Sequence, residues 1–120
     1  MPKYLLLIVE DETAFQSGGQ ESFDEVIAAH MAFTEEVGQL GGTIVGGEAL
    51  QPVATASFLR GTRTDAVTTV DNPAPDLKEI LGGYYLIEAT DDEHARRIGA
   101  RCPAQYGYIE VRPIWDFAAG

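Results

Sequence analysis

Residues 3–9, Lys-Tyr-Leu-Leu-Leu-Ile-Val, determine how the rest of the chain can be arranged. The run is apolar at both alternate sets of positions, since Leu5 and Leu7 are as hydrophobic as Leu6 and Ile8. Successive side chains of a strand point to opposite faces of a sheet. The segment therefore predicts a central strand that must be covered on both faces.

A helix is predicted downstream of this strand. Residues 10–20 are polar and contain two adjacent glycines, which predicts a loop. Ser22 followed by Glu25 matches the capping-box pattern of helix starts. An apolar stripe at helical spacing then runs from Phe23 to Leu40 and includes His30. Two further glycines predict the end of the helix.

The remaining elements complete a β-α-β, hairpin, β-α-β order. They are a strand at residues 43–50 with glycines that indicate a bulge or a close backbone approach, a hairpin at 55–60 and 66–70, a strand at 83–89, a helix capped by Thr90 and ended by Pro103, and a strand at 107–114. This order predicts an α+β, ferredoxin-like βαββαβ fold with an inserted β-hairpin, its helices on one sheet face. We expect residues 1–120 to form a single domain.

The sheet face opposite the helices has no cover within this order of elements. Because Leu5 and Leu7 are apolar as well as Leu6 and Ile8, a monomer would expose a large apolar patch. A second copy packed sheet against sheet would bury it in a two-fold dimer. The alternative is that the inserted hairpin folds back over this face. We predict a homodimer or a larger homo-oligomer.

The composition restricts the partners and the compartment. Eight Lys and Arg against 19 Asp and Glu give a formal charge of −11. That charge repels phosphate backbones and anionic lipids, so we expect neither nucleic acid nor a membrane as partner. The single cysteine, Cys102, excludes an intramolecular disulfide and fits the cytoplasm. It is expected to be a small buried hydrophobe.

Metal and cofactor sites are not predicted. His30, His94 and Cys102 lack the short spacing of zinc ligands. The paired glycines lack the lysine of a phosphate-binding loop. We therefore expect no metal and no cofactor, and we expect His94 to be a solvated residue of the second helix.

Several segments at a particular spacing extend through nearly the whole chain. They are KYLLLIV at 3–9, His30, VGGEALQP at 45–52, LGGYYLIE at 81–88, RCP at 101–103 and IEVRP at 109–113. Together they resemble the YCII-related protein family and, within it, the DGPF branch. The resemblance implies a dimeric α+β barrel and a catalytic His–Asp pair. For some relatives it implies lyase or dehalogenating chemistry.

The signature of that branch is altered in this chain. Residues 71–79, DNPAPDLKE, keep the first aspartate, the proline and the Lys-Glu pair of the signature. Asn72 replaces glycine and can still adopt the left-handed conformation. Ala74 replaces phenylalanine, which removes a large apolar wall, so the resemblance does not establish a substrate preference for this chain.

His30 and Asp71 are the predicted catalytic pair. His30 interrupts an apolar stripe and titrates near neutrality, so it could act as a general base. The alternative is a core histidine bonded to a backbone carbonyl. Asp71 follows a strand and could orient His30 or bind substrate. The alternative is an aspartate that bonds its own turn.

Glu48, Lys78 and Arg112 are the predicted substrate-binding residues. Glu48 is a carboxylate in an otherwise apolar strand, where it could serve as an acid or form a structural ion pair with Lys78 or Arg112. The planar guanidinium of Arg112 could hold an anionic ligand, or it could close a dimer contact.

Two functional hypotheses follow. The first is a small cofactor-free enzyme in which His30 and Asp71 transfer a proton during elimination or isomerisation of a small polar or aromatic acid. The second is a non-catalytic ligand-binding or accessory protein that serves a transcriptional regulator. The family resemblance implies the second because DGPF-type genes are often associated with alternative sigma factors.

Overall fold

A computed structural model describes residues 1–17, 19–71 and 79–119. Its elements are β1 (Lys3–Asp11), α1 (Glu12–Ser17), α2 (Gly19–Gln39), β2 (Thr43–Ala49), β3 (Ser57–Arg60), β4 (Thr68–Asp71), β5 (Glu79–Glu88), α3 (Asp92–Gly99) and β6 (Gly107–Pro113), with 3-10 turns at Val53–Thr55 and Phe117–Ala119. Within the described ranges, no helix is both long and apolar enough to cross a membrane.

The main sheet has four antiparallel strands in the order β2-β5-β1-β6. Strand β1 lies in the interior of the sheet, as its two-sided apolar pattern predicted. The order confirms the ferredoxin-like α+β prediction. The inserted hairpin is also confirmed, because β3 and β4 form a separate two-stranded sheet. The described part of one chain is open and forms no closed barrel.

The core lies on one side of this sheet, between β1 and the helices. Tyr4, Leu6 and Ile8 alternate along β1 on this side and are buried. The other buried apolar residues complete the same cluster: Phe33 and Val37 of α2, Ile87 of β5, Ala89, Ala95 and Ile98 of α3, and Cys102. The expectation that Cys102 is a buried hydrophobe is confirmed.

The opposite side of the sheet, which we term the open face, is apolar and incompletely covered. Its apolar residues are Leu5, Leu7 and Val9 of β1, Leu81, Tyr84 and Leu86 of β5, and Tyr108 of β6, and the charged residues Glu48, Glu110 and Arg112 share this face at the two edges of the sheet. All of them retain solvent exposure, and it reaches 44% at Leu81 and 49% at Tyr108. Among the described residues, this face is therefore an apolar surface that is only partly covered.

The hairpin does not cover the open face. Every residue of β3 and β4 is exposed. The chain measures 47 × 46 × 17 Å, and its radius of gyration is 16.5 Å, whereas a compact domain of this length has about 14 Å. The alternative in which the hairpin folds back over the sheet is therefore wrong for the single chain.

The structure corrects the predicted starts of the helices. Residues 10–20 were expected to be a loop, but Asp11 accepts a hydrogen bond from the amide of Ala14 (3.0 Å) and starts α1. Helix α2 begins at Gly19, upstream of Ser22. Helix α3 is capped by Asp91 and not by Thr90. Aspartate and threonine both serve as N-caps, so the sequence alone could not select between neighbours.

His94 is buried and not solvated, which overturns the prediction for this residue. It is 3% exposed. Its Nε2 donates to the carbonyl of Leu40 (2.6 Å), and its Nδ1 accepts from the amide of Thr90 (2.9 Å). Because α3 begins at Asp92, His94 lies in its first turn, against the end of α2. These two bonds require a neutral imidazole that joins the two helices.

We predict that His94→Leu destabilises the fold by about 1–3 kcal/mol, because it leaves the part-buried carbonyl of Leu40 and the part-buried amide of Thr90 without their partner. The free energy of unfolding in urea measures this loss. Arg97→Gln is the matched control on the same helix, where Arg97 is exposed, and should change stability by less than about 0.5 kcal/mol. Equal stability of the His94 variant and wild type would show that the two bonds contribute nothing.

Candidate functional site

A cavity of about 590 Å³ lies between α2 and the helix side of the sheet. Its size falls within the range of about 300–1,000 Å³ that is typical of small-molecule sites. Its apolar walls are Ile8, Phe23, Val26, Ile27, Pro52 and Ile80. Phe23 and Ile27 remain about half exposed, at 47% and 46%. The cavity therefore offers a partly open apolar surface to a small molecule.

Glycines form the sheet side of this cavity. Gly47 and Gly83 both line it. A Cβ on Gly47 would come within 2.8 Å of the carbonyl of Tyr84, and one on Gly83 within 2.9 Å of the carbonyl of Glu48. The close backbone approach predicted for this part of β2 is confirmed. Since these glycines carry no side chains, they also leave space beneath α2.

His30 of α2 lies in the wall of the cavity. Its Nδ1 is 2.7 Å from the hydroxyl of Tyr85, so the two side chains share a hydrogen bond. The Tyr85 ring also packs against Phe33, with ring centroids 5.0 Å apart. Nε2 of His30 makes no hydrogen bond to the described residues, so it is free to meet a ligand. The predicted alternative, a histidine bonded to a backbone carbonyl, applies to His94 instead.

The surroundings keep both partners of this pair uncharged. Burial lowers the pKa of His30 below its ordinary value, and the negative charge of Glu10 opposes this shift only in part. Burial, followed by the influence of Cys102, raises the pKa of Tyr85. At neutral pH the cavity therefore presents a neutral imidazole beside a protonated phenol. A neutral imidazole can accept a proton.

Glu10 and Tyr85 are site residues that the sequence analysis missed. Both line the cavity. Glu10 continues the alternation of Tyr4, Leu6 and Ile8 along β1, and its carboxylate accepts a hydrogen bond from the amide of Tyr106 (3.1 Å). Tyr85 is the register partner of Leu6. The period of two along each strand was the signal that could have placed them on the helix side.

Asp71 lies at the exposed end of β4, outside the described lining of the cavity. Its carboxylate accepts a hydrogen bond from the hydroxyl of Ser57 across the hairpin (3.0 Å). The described hydrogen bonds of His30 and Asp71 thus lead to different partners, and their pairing stays a prediction. Most of the altered signature, including Lys78, falls in residues 72–78 and lies outside the described residues.

The structure separates Glu48 from Arg112. Glu48 lies on β2 and lines the cavity, whereas Arg112 lies on β6 at the other edge of the sheet. The guanidinium of Arg112 pairs with Glu110 on its own strand, with Nε 2.6 Å from the carboxylate oxygen. Of the three predicted substrate-binding residues, only Glu48 belongs to the described lining of the cavity, and its side chain, opposite Tyr84 in the strand register, lies on the open face and not beside His30.

A second groove, of about 680 Å³, lies between α3 and β6. Two of its polar groups already satisfy each other, because the hydroxyl of Tyr4 donates to Asp92 (2.7 Å). Its Cys102 thiol is unreactive, since burial raises its pKa to about 12. No histidine appears in its described lining. The cavity under α2 is therefore the better candidate for chemistry.

The part of the chain that the structure describes contains no group of three or more His, Cys, Asp or Glu side chains placed to hold a metal ion. Glu10, Glu12 and His30 all line the cavity under α2 without forming such a group.

The comparisons with known proteins agree with the resemblance. The family model of the YCII-related domain matches residues 2–118. The chain therefore belongs to the YCII-related family. No curated protein matches the chain.

We predict that His30 titrates below pH 6.5, the ordinary midpoint of a histidine, because burial disfavours its charged form. At a pH between the pKa of His30 in the folded chain and its pKa in the unfolded chain, the unfolded chain binds more protons. His30 therefore favours the folded state above about pH 6.5 and loses that contribution as the pH falls. The NMR shift of the His30 Cε1 proton against pH measures the midpoint.

Glu10→Gln tests whether the negative charge of Glu10 raises the pKa of His30. The amide can still accept from Tyr106, but the negative charge that raises the pKa of His30 is gone. The midpoint of His30 should fall further. Glu35 is exposed on α2, the helix that carries His30, and Glu35→Gln should leave the midpoint of His30 unchanged. A midpoint that rises in the Glu10 variant would contradict the assignment of Glu10 to this site.

Proposed function

We propose that the cavity under α2 binds a small, largely apolar molecule and that His30 exchanges a proton with it. The observation that carries the proposal is the hydrogen-bonded His30–Tyr85 pair in the wall of this cavity. A ligand held by the apolar walls would meet the free Nε2 of a neutral imidazole. Elimination or isomerisation, the reaction types predicted from the sequence, both begin with the transfer of a proton to such a base.

Tyr85 supports the chemistry in two ways. In the tautomer whose Nε2 can accept a proton, Nδ1 carries the imidazole hydrogen and donates it to the hydroxyl oxygen of Tyr85, which fixes the plane of the imidazole. The ring of Tyr85 is itself fixed by packing on Phe33. Orientation of a base by a second hydrogen-bonding group is the arrangement that proton-transfer sites commonly use. In this proposal Tyr85 takes the orienting role that the sequence analysis gave to Asp71.

We also propose that the chain belongs to the DGPF branch of the YCII-related family. The aspartate, the proline and the Lys-Glu pair that residues 71–79 share with the DGPF signature support membership of that branch. The paired action of Asp71 with His30 would require the hairpin to bring Asp71 to the cavity of its own or another chain. The buried, unpaired Cys102 supports a reducing, cytoplasmic compartment.

The apolar walls of the cavity support the accessory-protein hypothesis as well as the enzyme hypothesis. Apolar walls with half-exposed Phe23 and Ile27 suit a sensor of small molecules as well as a catalyst. The two functions differ in whether the bound ligand is converted. A fragment screen that measures both binding and conversion separates the two functions.

The test of the proposed function is a fragment screen followed by NMR on protein with labelled histidine. Bound fragments should shift the His30 Cε1 signal, and a subset should be converted to product over hours. His30→Asn should retain binding and reduce conversion by about 10²–10⁴-fold, the usual contribution of a general base. Glu35→Gln should convert at the wild-type rate.

Other outcomes of this screen decide against the proposal. Binding without conversion in the wild type would eliminate proton transfer and favour the accessory function. Conversion that persists in the His30 variant would assign the chemistry elsewhere. Fragments that bind without moving the His30 signal would show that the cavity is not the binding site.

The proposal includes a homodimer through the open face. The exposed apolar side chains of this face and the flat shape of the chain support it. A stable interface typically buries about 800 Å² on each partner and is most apolar at its centre. Leu5 and Leu7 occupy that central position, because β1 lies in the interior of the sheet.

We predict opposite results for two adjacent leucines. Leu7→Glu should give a folded monomer, because Leu7 lies on the open face. Leu6→Glu should unfold the chain, because Leu6 is 0% exposed in the helix-side core and a buried unpaired charge is very costly. Light scattering gives the mass and circular dichroism gives the fold. A wild-type mass of 13.0 kDa at micromolar concentration would contradict the dimer.

A further inference from the structure

We infer that Tyr85 is a second catalytic residue of the cavity under α2, that its hydroxyl donates a hydrogen bond to a carbonyl oxygen of the substrate, and that the substrate is an α,β-unsaturated carbonyl compound. The inference rests on the proposed function, since it assigns a substrate class to that same site. It goes beyond the orienting role of Tyr85, because the hydroxyl now contacts the substrate as well as His30.

The hydrogen bond between His30 and Tyr85 leaves one hydrogen unused. Nδ1 and the hydroxyl oxygen are 2.7 Å apart, and only one of the two groups donates. If the hydroxyl donated, Nε2 of the neutral imidazole would carry the ring hydrogen and could not accept a proton. Proton transfer to Nε2 therefore requires Nδ1 to donate and the hydroxyl to accept. The hydrogen of the hydroxyl then points to another acceptor.

None of the residues that the structure describes accepts this hydrogen. The hydroxyl of Tyr85 has His30 as its hydrogen-bonding partner in the described ranges. Burial, followed by the influence of Cys102, raises the pKa of Tyr85, so the phenol keeps its hydrogen at neutral pH. Tyr85 is partly buried, and a donor without an acceptor in such a position costs free energy. An oxygen atom of a ligand in the cavity would supply the acceptor.

The flank of the Tyr85 ring is open toward β2. Tyr85 lies on the helix side of β5, opposite Leu6 of β1 and Gly47 of β2. A Cβ on Gly47 would lie 2.9 Å from Cδ1 of the Tyr85 ring, so the glycine leaves this side of the ring uncovered. Gly47, Tyr85 and His30 all line the cavity. A ligand in the cavity can therefore contact both the phenol and the imidazole.

The arrangement of the two groups determines the span of the substrate. The two nitrogens of an imidazole point in widely different directions. Because Nδ1 faces Tyr85, Nε2 faces away from the hydroxyl. A saturated ketone has its acidic hydrogen on the carbon next to the carbonyl, and this span is too short for both groups. An α,β-unsaturated ketone also has an acidic hydrogen at the γ carbon, two atoms farther from the oxygen, and conjugation links the two positions.

The proposed step conserves atoms and electrons. Nε2 of His30 takes the γ proton, and the electron pair of that C–H bond forms a new C=C bond. The original C=C pair moves to the bond beside the carbonyl carbon, and the carbonyl pair moves to the oxygen, whose negative charge the Tyr85 hydroxyl stabilises. Return of the proton to the α carbon gives the β,γ-unsaturated isomer, and return to the γ carbon gives the starting ketone. No oxidant or reductant is consumed.

The experiment follows the exchange of hydrogen for deuterium in 2-cyclohexenone and cyclohexanone, two rings of similar size, with the intact protein in deuterium oxide. Proton NMR measures the exchange at each carbon. The protein should accelerate exchange at the γ carbon of 2-cyclohexenone by about 10²-fold or more over buffer, the usual contribution of a general base. The α hydrogens of cyclohexanone should exchange at the buffer rate. This comparison needs no variant.

Variants then assign the two roles. Tyr85→Phe keeps the ring that packs on Phe33 and should remove most of the acceleration, because loss of one donor to a developing oxyanion costs about 10²–10³-fold. His30→Asn should abolish the acceleration. Glu35→Gln, which changes an exposed side chain of α2, should exchange at the wild-type rate. Urea unfolding checks that each variant is folded.

A spectroscopic readout separates contact with the substrate from orientation of His30. A carbonyl oxygen that accepts a hydrogen bond has a lower stretching frequency in the infrared. The stretch of bound, carbonyl-labelled 2-cyclohexenone should therefore rise in Tyr85→Phe and stay at its wild-type value in Glu35→Gln. A tyrosine that only orients the imidazole would leave the stretch unchanged when its hydroxyl is removed.

Three results would overturn the inference. Equal acceleration with cyclohexanone would show that the site does not require the longer span. An unchanged carbonyl stretch in Tyr85→Phe would return Tyr85 to its orienting role. Exchange of 2-cyclohexenone at the buffer rate in the wild type would reject the substrate class. The fragment screen with the His30 signal decides the proposed function separately, because it does not depend on any of these probes.

Discussion

The alternation of side chains along β1 is the constraint on which the rest of the structure depends. Tyr4, Leu6 and Ile8 point to the helices and form the centre of the core. Leu5 and Leu7 point the other way and create the open face. A shift of the strand by one residue would exchange the two sets, so the register is determined by burial. One strand therefore specifies both where the helices pack and where a partner can bind.

The candidate site begins where this apolar alternation ends. Position 10 follows Ile8 on the helix side, and there the partly buried side chain is that of Glu10. Across from it, α2 supplies His30 and β5 supplies Tyr85. The same burial that stabilises the adjacent core lowers the pKa of His30 and raises that of Tyr85. The reactivity of the site is thus a consequence of its position at the margin of the core.

Periodicity predicted most of the fold but only part of the site. The strands, the hairpin and the stripe of α2 follow from local patterns, so they were found. The partners of single polar residues depend on tertiary contacts. For this reason His94, expected to be solvated, is buried against Leu40, and His30 is bonded to Tyr85. The period of two could have indicated Glu10, whereas no local pattern shows that Arg112 lies far from Glu48.

The cavity exists because the sheet beneath α2 has few side chains, and this has a physical cost. Gly47 and Gly83 allow β2 and β5 to approach closely, but glycine in a strand weakens it and contributes no apolar burial. The fold offsets that loss elsewhere, through the bonds of His94 between α2 and α3 and through the fully buried core around Leu6. Stability is therefore concentrated at one end of α2, and space for a ligand is left beside His30. A fold that filled this space would gain packing and lose access to the imidazole.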